Sequence, residues 1–326
     1  METRPGIHRD LIVVGASAGG GRALLQLAAG LPEEFPPVLV VQHIGHHVSM
    51  LPELLNQFGP ARVLHPESGH RLSHGTILIA PTDHHMLVTD GEIRLTTGPK
   101  ENAARPAIDP LFRSAAIAYG PRAIGVILSG QLDDGTSGLQ AIKEAGGLAV
   151  VQDPDDAVDS SMPASALKFV DVDRVARGED LAQVLQELVR EPIVRHADAR
   201  PSTRLEHEIS TGDRDAMRKL DQIGTRSELA CPECGGVLWQ IDDARPQRFR
   251  CHTGHAYSIN ALDHCQASHA DGALWAALRA MQERHRLLSM MLELHDRDDP
   301  EVAVWRREEV RVMKRIEALR VLAEDC

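Results

Sequence analysis

The sequence predicts an α/β fold over its first 190 or so residues: a doubly wound, mostly parallel sheet. A small zinc-ribbon-like module and an α-helical hairpin are expected after it. Three observations carry this reading. Short apolar runs alternate with segments whose apolar residues recur every three or four positions, the pattern of buried strands joined by amphipathic helices. Three cysteines and two histidines cluster between positions 231 and 255. Residues 261–326 hold two long stretches of helical apolar spacing.

Taken in order, residues 11–15 (LIVVG) read as a buried strand, and 20–30 as a helix with Ala23, Leu24, Leu27 and Ala28 on one face. Residues 38–42 (VLVVQ) form a second strand and 49–58 a short helix. Strands are expected at 76–80, 86–89 and 92–97, the last two joined by a hairpin at Gly91 and adding an antiparallel edge. A helix at 109–119, a strand at 123–128 (AIGVIL), a helix at 139–145 and a strand at 148–152 follow. Helices at 163–169, opened by proline, and at 181–190 close the domain, which is assigned to residues 1–192. Residues 193–226 are polar and charged and read as a linker with a short helix near 216–223. The ribbon-like module is assigned to 227–260 and the helical hairpin to 261–326, turning at DRDDP. In the hairpin, Leu274, Leu278, Met281, Leu287, Leu288 and Met291 face Val302, Val310, Met313, Ile316, Leu319 and Leu322 across an apolar seam, the pair's own core or in part a docking face for a protein partner.

Composition narrows the function classes. The chain has 326 residues, 43% hydrophobic and 25% charged, as in ordinary globular domains. A net charge of -12 argues against a nucleic-acid partner, which needs clustered Lys and Arg. No apolar run reaches the roughly 18 residues of a membrane span, and METRPGIHRD lacks the plan of a signal peptide. The expectation is a cytoplasmic protein without membrane insertion. The five cysteines, Cys231, Cys234, Cys251, Cys265 and Cys326, all lie in the last third, which suits a local metal site better than a disulfide framework.

GASAGG (15–20) follows a strand and opens a helix, as either a phosphate cradle or a nucleophile elbow would. A dinucleotide fingerprint needs glycine at the third position of G-x-G-x-x-G, where this chain has Ser17. His43 ends the second strand, and Asp133 and Asp134 follow the AIGVIL strand. Carboxyl ends of parallel strands are where open α/β sheets bind ligands. A serine there needs a base, imidazole can serve near neutral pH, and a carboxylate can hold the imidazole's tautomer. Ser17, His43 and Asp134 therefore make a candidate catalytic triad, needing no cofactor for the chemistry.

These motifs resemble the catalytic domain of CheB-type protein-glutamate methylesterases. GASAGG, QH after the second strand, IAPTDHHM (79–86), ARPAIDPLF (104–112), SGQLDDGTSG, GGLAVVQDP and MPASAL occur in the family's order across roughly residues 10–190. The resemblance implies hydrolysis of glutamate methyl esters on a receptor-type protein, with glutamine deamidation as a related reaction, in chemotaxis-like signalling. It implies Ser17 as nucleophile, His43 as general base and acid, and Asp134 as the histidine's partner. The N–H groups of Ala18, after the serine, and of Gln131 are oxyanion candidates. Arg105 either lines the substrate groove or makes a surface ion pair. The chain departs from the family in having Ala18 where threonine is common, and Gln131-Leu132-Asp133 in place of Met-Gly-Asn. Asp133 close to Asp134 would perturb the titration of both. His46 and His47, in place of a proline-rich turn, read as loop residues. With the first strand starting at Leu11, a stand-alone form without the phospho-receiver domain is expected, the C-terminal parts taking over partner docking or control. The rival reading is a signalling module that keeps the fold with little catalysis.

Cys231-x2-Cys234 and Cys251-x3-His255, sixteen residues apart, have the ligand types and spacing of tetrahedral zinc, with His252 as an alternative fourth ligand. Four protein ligands leave no position for substrate, so the expected zinc is structural.

Overall fold

Strands that are apolar at every position need both faces covered, and the sequence supplies helices to cover them. The computed structural model describes residues 8–45, 49–193, 197–212, 214–242, 244–296 and 299–324. The chain runs β1 (Leu11–Ala16), α1 (Gly20–Gly30), β2 (Val38–Gln42), α2 (Leu51–Leu55), β3 (Arg62–Leu64) and β4 (Thr76–Ile79). It continues through β5 (His85–Thr89), β6 (Glu92–Thr96), α3 (Ile108–Tyr119), β7 (Ala123–Ile127), α4 (Thr136–Glu144) and β8 (Leu148–Gln152). Next come α5 (Ser161–Phe169), β9 (Arg174–Ala176) and α6 (Leu181–Arg190). Seven strands make one parallel sheet in the order β3-β4-β2-β1-β7-β8-β9. Successive side chains of β1 point to opposite faces. Leu11 and Val13 pack with Ile108, Phe112, Leu139 and Ile142 of α3 and α4. Ile12 and Val14 pack with Leu24, Leu27, Leu181 and Leu185 of α1 and α6.

The expected antiparallel edge is not part of this sheet. β4 lies inside it, parallel to β2 and β3, while β5 and β6 form a separate two-stranded hairpin. Edge strands β3 and β9 went unread because three residues carry too little periodicity.

The polar stretch read as a linker holds two helices, α7 (Pro201–Ser210) and α8 (Ala216–Ile223). They pack Ile209, Ala216, Leu220 and Ile223 against Trp239 and Ile241 of a four-stranded antiparallel sheet, β10 (Gly224–Ala230), β11 (Val237–Ile241), β12 (Arg248–Cys251) and β13 (Ala256–Ser258). The segment looks like a linker because its buried face is partly charged: Glu206 is 2% exposed. His46 and His47 lie outside the described residues.

Residues 1–262 cluster as one compact unit and 263–326 as a second. The remaining helices are α9 (Ile259–Leu294) and α10 (Pro300–Glu324). In the second unit Leu278, Leu288, Val312 and Ile316 form the core, with Met281, Trp305 and Leu319 against it, and Val302 is also buried. Leu287, Val310, Met313 and Leu322, expected in the seam, are exposed, and Val312 takes the inward position instead.

Within the first unit, buried charges join the parallel-sheet layer to the four-stranded one. Glu101 receives both guanidinium nitrogens of Arg113 at 2.6 and 3.1 Å and Arg250 at 3.1 Å. Glu206 receives Arg248 at 2.6 and 2.7 Å and Arg250 at 3.4 Å. Burial works to raise the Glu101 carboxyl, but Arg113 and Arg250 hold it far below its ordinary value. On α7, His207 is pushed down to about 4 by burial and by Arg113.

The folded chain therefore keeps His207 neutral, whereas an unfolded chain takes up a proton below about pH 6.5. That contribution to stability is present above pH 6.5 and lost as the pH falls toward 4, and Glu101 adds a further loss below about 4.5. Thermal unfolding followed by circular dichroism is expected to show a midpoint that drops from pH 6.5 to 4. The drop is expected to be shallower in His207→Leu over the upper part of that range.

Candidate active site

In the strand order, β1 lies between β2 and β7, so the carboxyl ends of these three strands are neighbours. Ser17 follows β1, His43 follows β2, and Asp134 lies past β7 in the turn that opens α4. Each turn prolongs the sheet's bonding by a residue. The Ser17 N–H donates to the Ser129 carbonyl and the His43 N–H to the Ala16 carbonyl. The Gln42 amide donates to the carbonyls of Ser17 and His43 at 2.8 and 3.2 Å and ties the two turns together. Gly130 lies against Ser17: a Cβ there would stand 2.7 Å from Ser17 Cβ.

Ser17 Oγ is 3.2 Å from His43 Nδ1, and His43 Nε2 is 3.0 Å from Asp134 Oδ2. An ionised carboxylate only accepts, so Nε2 carries the proton. Nδ1 then offers its lone pair to the serine hydroxyl, which donates. The ring is reversed relative to the usual triad, in which Nε2 faces the serine.

Asp134 is the most constrained group in the site. Its Oδ2 also accepts the Ile108 N–H at 2.7 Å. Its Oδ1 accepts the Asn102 side-chain amide at 2.8 Å and the Asp109 N–H at 3.3 Å. Two of these donors are free N–H groups of the first turn of α3, where the helix favours negative charge. Close approach of that turn depends on Gly15, since a Cβ there would come within 2.4 Å of Ile108 Cγ2. Burial acts to raise the Asp134 carboxyl, but His43, the Ile108 N–H and Asn102 together hold it below its ordinary value. Asp109 is raised instead, by burial and by the charge of Asp134, so Asp134 is the ionised member of the pair at neutral pH.

The Ala18 and Gln131 N–H groups donate to no acceptor among the described residues, which leaves both free for a developing oxyanion. A groove of about 220 Å³ beside His43 is lined by Ile44, Asp83, Lys100, Ala104 and Arg105. Of the two readings of Arg105, the ion pair accounts for its side chain. It bonds Asp83 at 2.7–2.8 Å and the Thr97 and Gly98 carbonyls, so it shapes the wall with four of its five N–H donors engaged. Asp133 takes part in neither triad nor groove: its carboxylate accepts Ser258 Oγ–H and, at 3.0 Å, the Asn260 amide. Burial raises its carboxyl, against those two hydrogen bonds, and Asp134 adds to the rise.

Away from Ser17, the turns β10–β11 and β12–β13 bring the ligand atoms of Cys231, Cys234, Cys251 and His255 within 4.8 Å of one another. Cys234 Sγ and Cys251 Sγ are 3.7 Å apart, and Cys251 Sγ and His255 Nδ1 3.5 Å. Two thiolates about 2.3 Å from one tetrahedral ion stand roughly 3.8 Å apart, so the donor set fits zinc. His252 is exposed and outside the cluster.

Sequence reasoning missed Asn102, Gln42 as a tie between turns, and the α3 N–H groups. Asn102 carries only a weak signal, the tolerance of asparagine for left-handed backbone (its φ is 50°). Asp134→Asn keeps the shape of the carboxylate but can donate to His43 and so favour the wrong tautomer. It is expected to lower kcat by about 10³–10⁴-fold in a steady-state esterase assay, and to lower the unfolding midpoint as well, because its NH₂ meets buried donors where the carboxylate accepted them.

Comparison with known proteins adds the lineage. The family model described as CheB methylesterase matches residues 12–185. A protein-glutamate methylesterase/protein-glutamine glutaminase 2 of Anaeromyxobacter dehalogenans is 39% identical over 183 residues, 56% of this chain and 54% of that protein. A relative from Leptospira interrogans is 38% identical over 189 residues, 56% of this chain and 96% of that protein. The crystal structure of the Thermotoga maritima CheB methylesterase catalytic domain aligns with a TM-score of 0.54 at 32% identity, over 56% of this chain and all of that one. The chain thus spans about half the length of the Anaeromyxobacter relative and nearly all of the Leptospira one. By the match over more than half its length, this chain belongs to the CheB methylesterase family.

Proposed function

We propose that the protein hydrolyses methyl esters of glutamate side chains on a receptor-type protein in chemotaxis-like signalling, with Ser17, His43 and Asp134 as the catalytic residues. The observation that carries this is the unbroken chain of contacts from hydroxyl to imidazole to a buried, ionised carboxylate at the mouth of a groove. Ser17 Oγ attacks the ester carbonyl carbon while its proton passes to His43 Nδ1. The oxyanion forms against the Ala18 and Gln131 N–H groups, and Asp134 stabilises the imidazolium without taking its proton. Collapse breaks the acyl C–O bond, and His43 returns the proton to the departing methoxide as methanol. Water, deprotonated by His43, then attacks the acyl-enzyme, restoring Ser17 and releasing glutamate. A glutamine side chain presents the same carbonyl, with ammonia as leaving group, so deamidation is the second reaction proposed for this site. The substrate side chain has to come from a methylated protein. No described helix is long and apolar enough to cross a membrane, and a cytoplasmic location is proposed from the sequence alone.

We also propose that Cys231, Cys234, Cys251 and His255 hold a structural zinc. With four protein ligands it would supply fold stability to the turns that carry it.

Methanol release from a methylated receptor tests the first reading. Ser17→Ala is expected to reduce the rate by about 10³-fold or more. Wild-type turnover no faster than that of Ser17→Ala would overturn it. For the metal, native mass spectrometry is expected to find one zinc per chain, absent from Cys231→Ser/Cys234→Ser.

A further inference from the structure

We propose that Asn102 is a positioning residue for the catalytic carboxylate, and that the cysteine-bearing four-stranded sheet, which lies outside the family region, holds it in place. The inference rests on the triad reading above.

Asn102 stands between the two. Its Nδ2 donates to Asp134 Oδ1 at 2.8 Å and to Asp109 Oδ2 at 3.1 Å, while its Oδ1 accepts the Ser258 N–H of β13 at 2.8 Å. A side-chain amide can satisfy these three contacts in only one orientation. An N–H on one side requires the oxygen, and the ionised Asp134 carboxylate on the other requires the NH₂. The backbone donor of β13 therefore selects the orientation in which Asn102 donates to the triad. The backbone needs the same support. Asn102 and Ala103 both have left-handed backbone, φ 50° and 60°, a conformation that alanine disfavours. Two hydrogen bonds between Glu101 and Ala104, at 3.0 and 3.3 Å, close this turn, and β13 anchors it: the Asn102 N–H donates to the Ala256 carbonyl at 2.8 Å, and the Ala256 N–H to the Lys100 carbonyl at 3.4 Å.

The residues on either side are tied to the same sheet. Lys100 pairs at 3.2 Å with Glu233, which lies between Cys231 and Cys234. Glu101 receives Arg250 of β12, fully buried, and Asp133, next to Asp134, receives Ser258 and Asn260. Cys251 and His255 bound the turn from β12 to β13, and Ser258 is three residues further on. A zinc on those ligands would fix the strand that orients Asn102, so metal occupancy and the geometry of Asp134 are coupled through one side chain.

The test uses the full chain and two readouts, methyl-ester turnover and the rate at which a fluorophosphonate labels Ser17. Asn102→Ala is expected to lower kcat and the labelling rate about 10- to 100-fold with KM unchanged, the scale of a small misplacement of a catalytic group. Asn102→Asp keeps the acceptor for Ser258 and loses the donor to Asp134, and is expected to behave alike. Stripping zinc from the wild type with a chelator, checked by metal analysis, is expected to cause a similar loss that added zinc reverses. It is expected to cause little further loss in Asn102→Ala, because both changes remove the same interaction. Unchanged wild-type labelling after metal removal, equal losses on metal removal in wild type and Asn102→Ala, or wild-type labelling in Asn102→Asp would each overturn the proposal. Labelling needs an activated serine but no glutamyl ester. A protein that labels yet releases no methanol therefore overturns the methylesterase reading and leaves this one standing, whereas absence of wild-type labelling overturns both.

Discussion

A buried carboxylate that must stay ionised requires donors on every lone pair that faces the protein, and at Asp134 they come from three separate parts of the chain. His43 extends from the end of β2, Ile108 and Asp109 offer N–H groups at the start of α3, and Asn102 reaches in from the segment before that helix. The parallel sheet supplies only part of this arrangement. Strand adjacency brings Ser17 and His43 together, but the charge state of Asp134 depends on how closely α3 approaches β1, and that approach depends on the bare backbone of Gly15. Core packing and catalytic electrostatics thus meet at Ile108, whose side chain fills the space beside Gly15 while its N–H holds the carboxylate.

The cysteine-bearing sheet belongs to the same compact unit as the parallel one. It contributes a strand edge to the segment at 100–104, an arginine to Glu101 and a hydroxyl to Asp133. Asp133 shows how local sequence can mislead about such a role. Beside Asp134 in the chain it suggests like-charge repulsion within the active site, yet its carboxylate points to Ser258 and Asn260 and serves as an attachment point. The acidic Gln131-Leu132-Asp133 loop thereby has a structural purpose.

Much of the parallel domain was legible because its signals are local. An unbroken apolar run with a helical period after it identifies β1, β2 and β7 without any knowledge of neighbours. Ser17, His43 and Asp134 inherit their legibility from those strand ends. The rest was hidden by distance or by compensation. Asn102 is meaningful only because of Ser258, 156 residues away. Helix α7 reads as linker because Glu206 sits on its inner face, and no local pattern announces that arginines on β12 will neutralise it. In the terminal hairpin the period was right but the phase was partly wrong, since Val312 is buried where Val310 and Met313 were expected.

The buried set of Glu101, Arg113, Glu206, Arg248 and Arg250 has three cations and two anions, each engaged by at least one opposite charge. Loss of one member strands its neighbours away from water, at a cost of about 3–5 kcal/mol. Such residues cannot drift one at a time. Glu101 and Arg113, although inside the shared domain, are therefore tied energetically to Glu206, Arg248 and Arg250 of the segment that follows it.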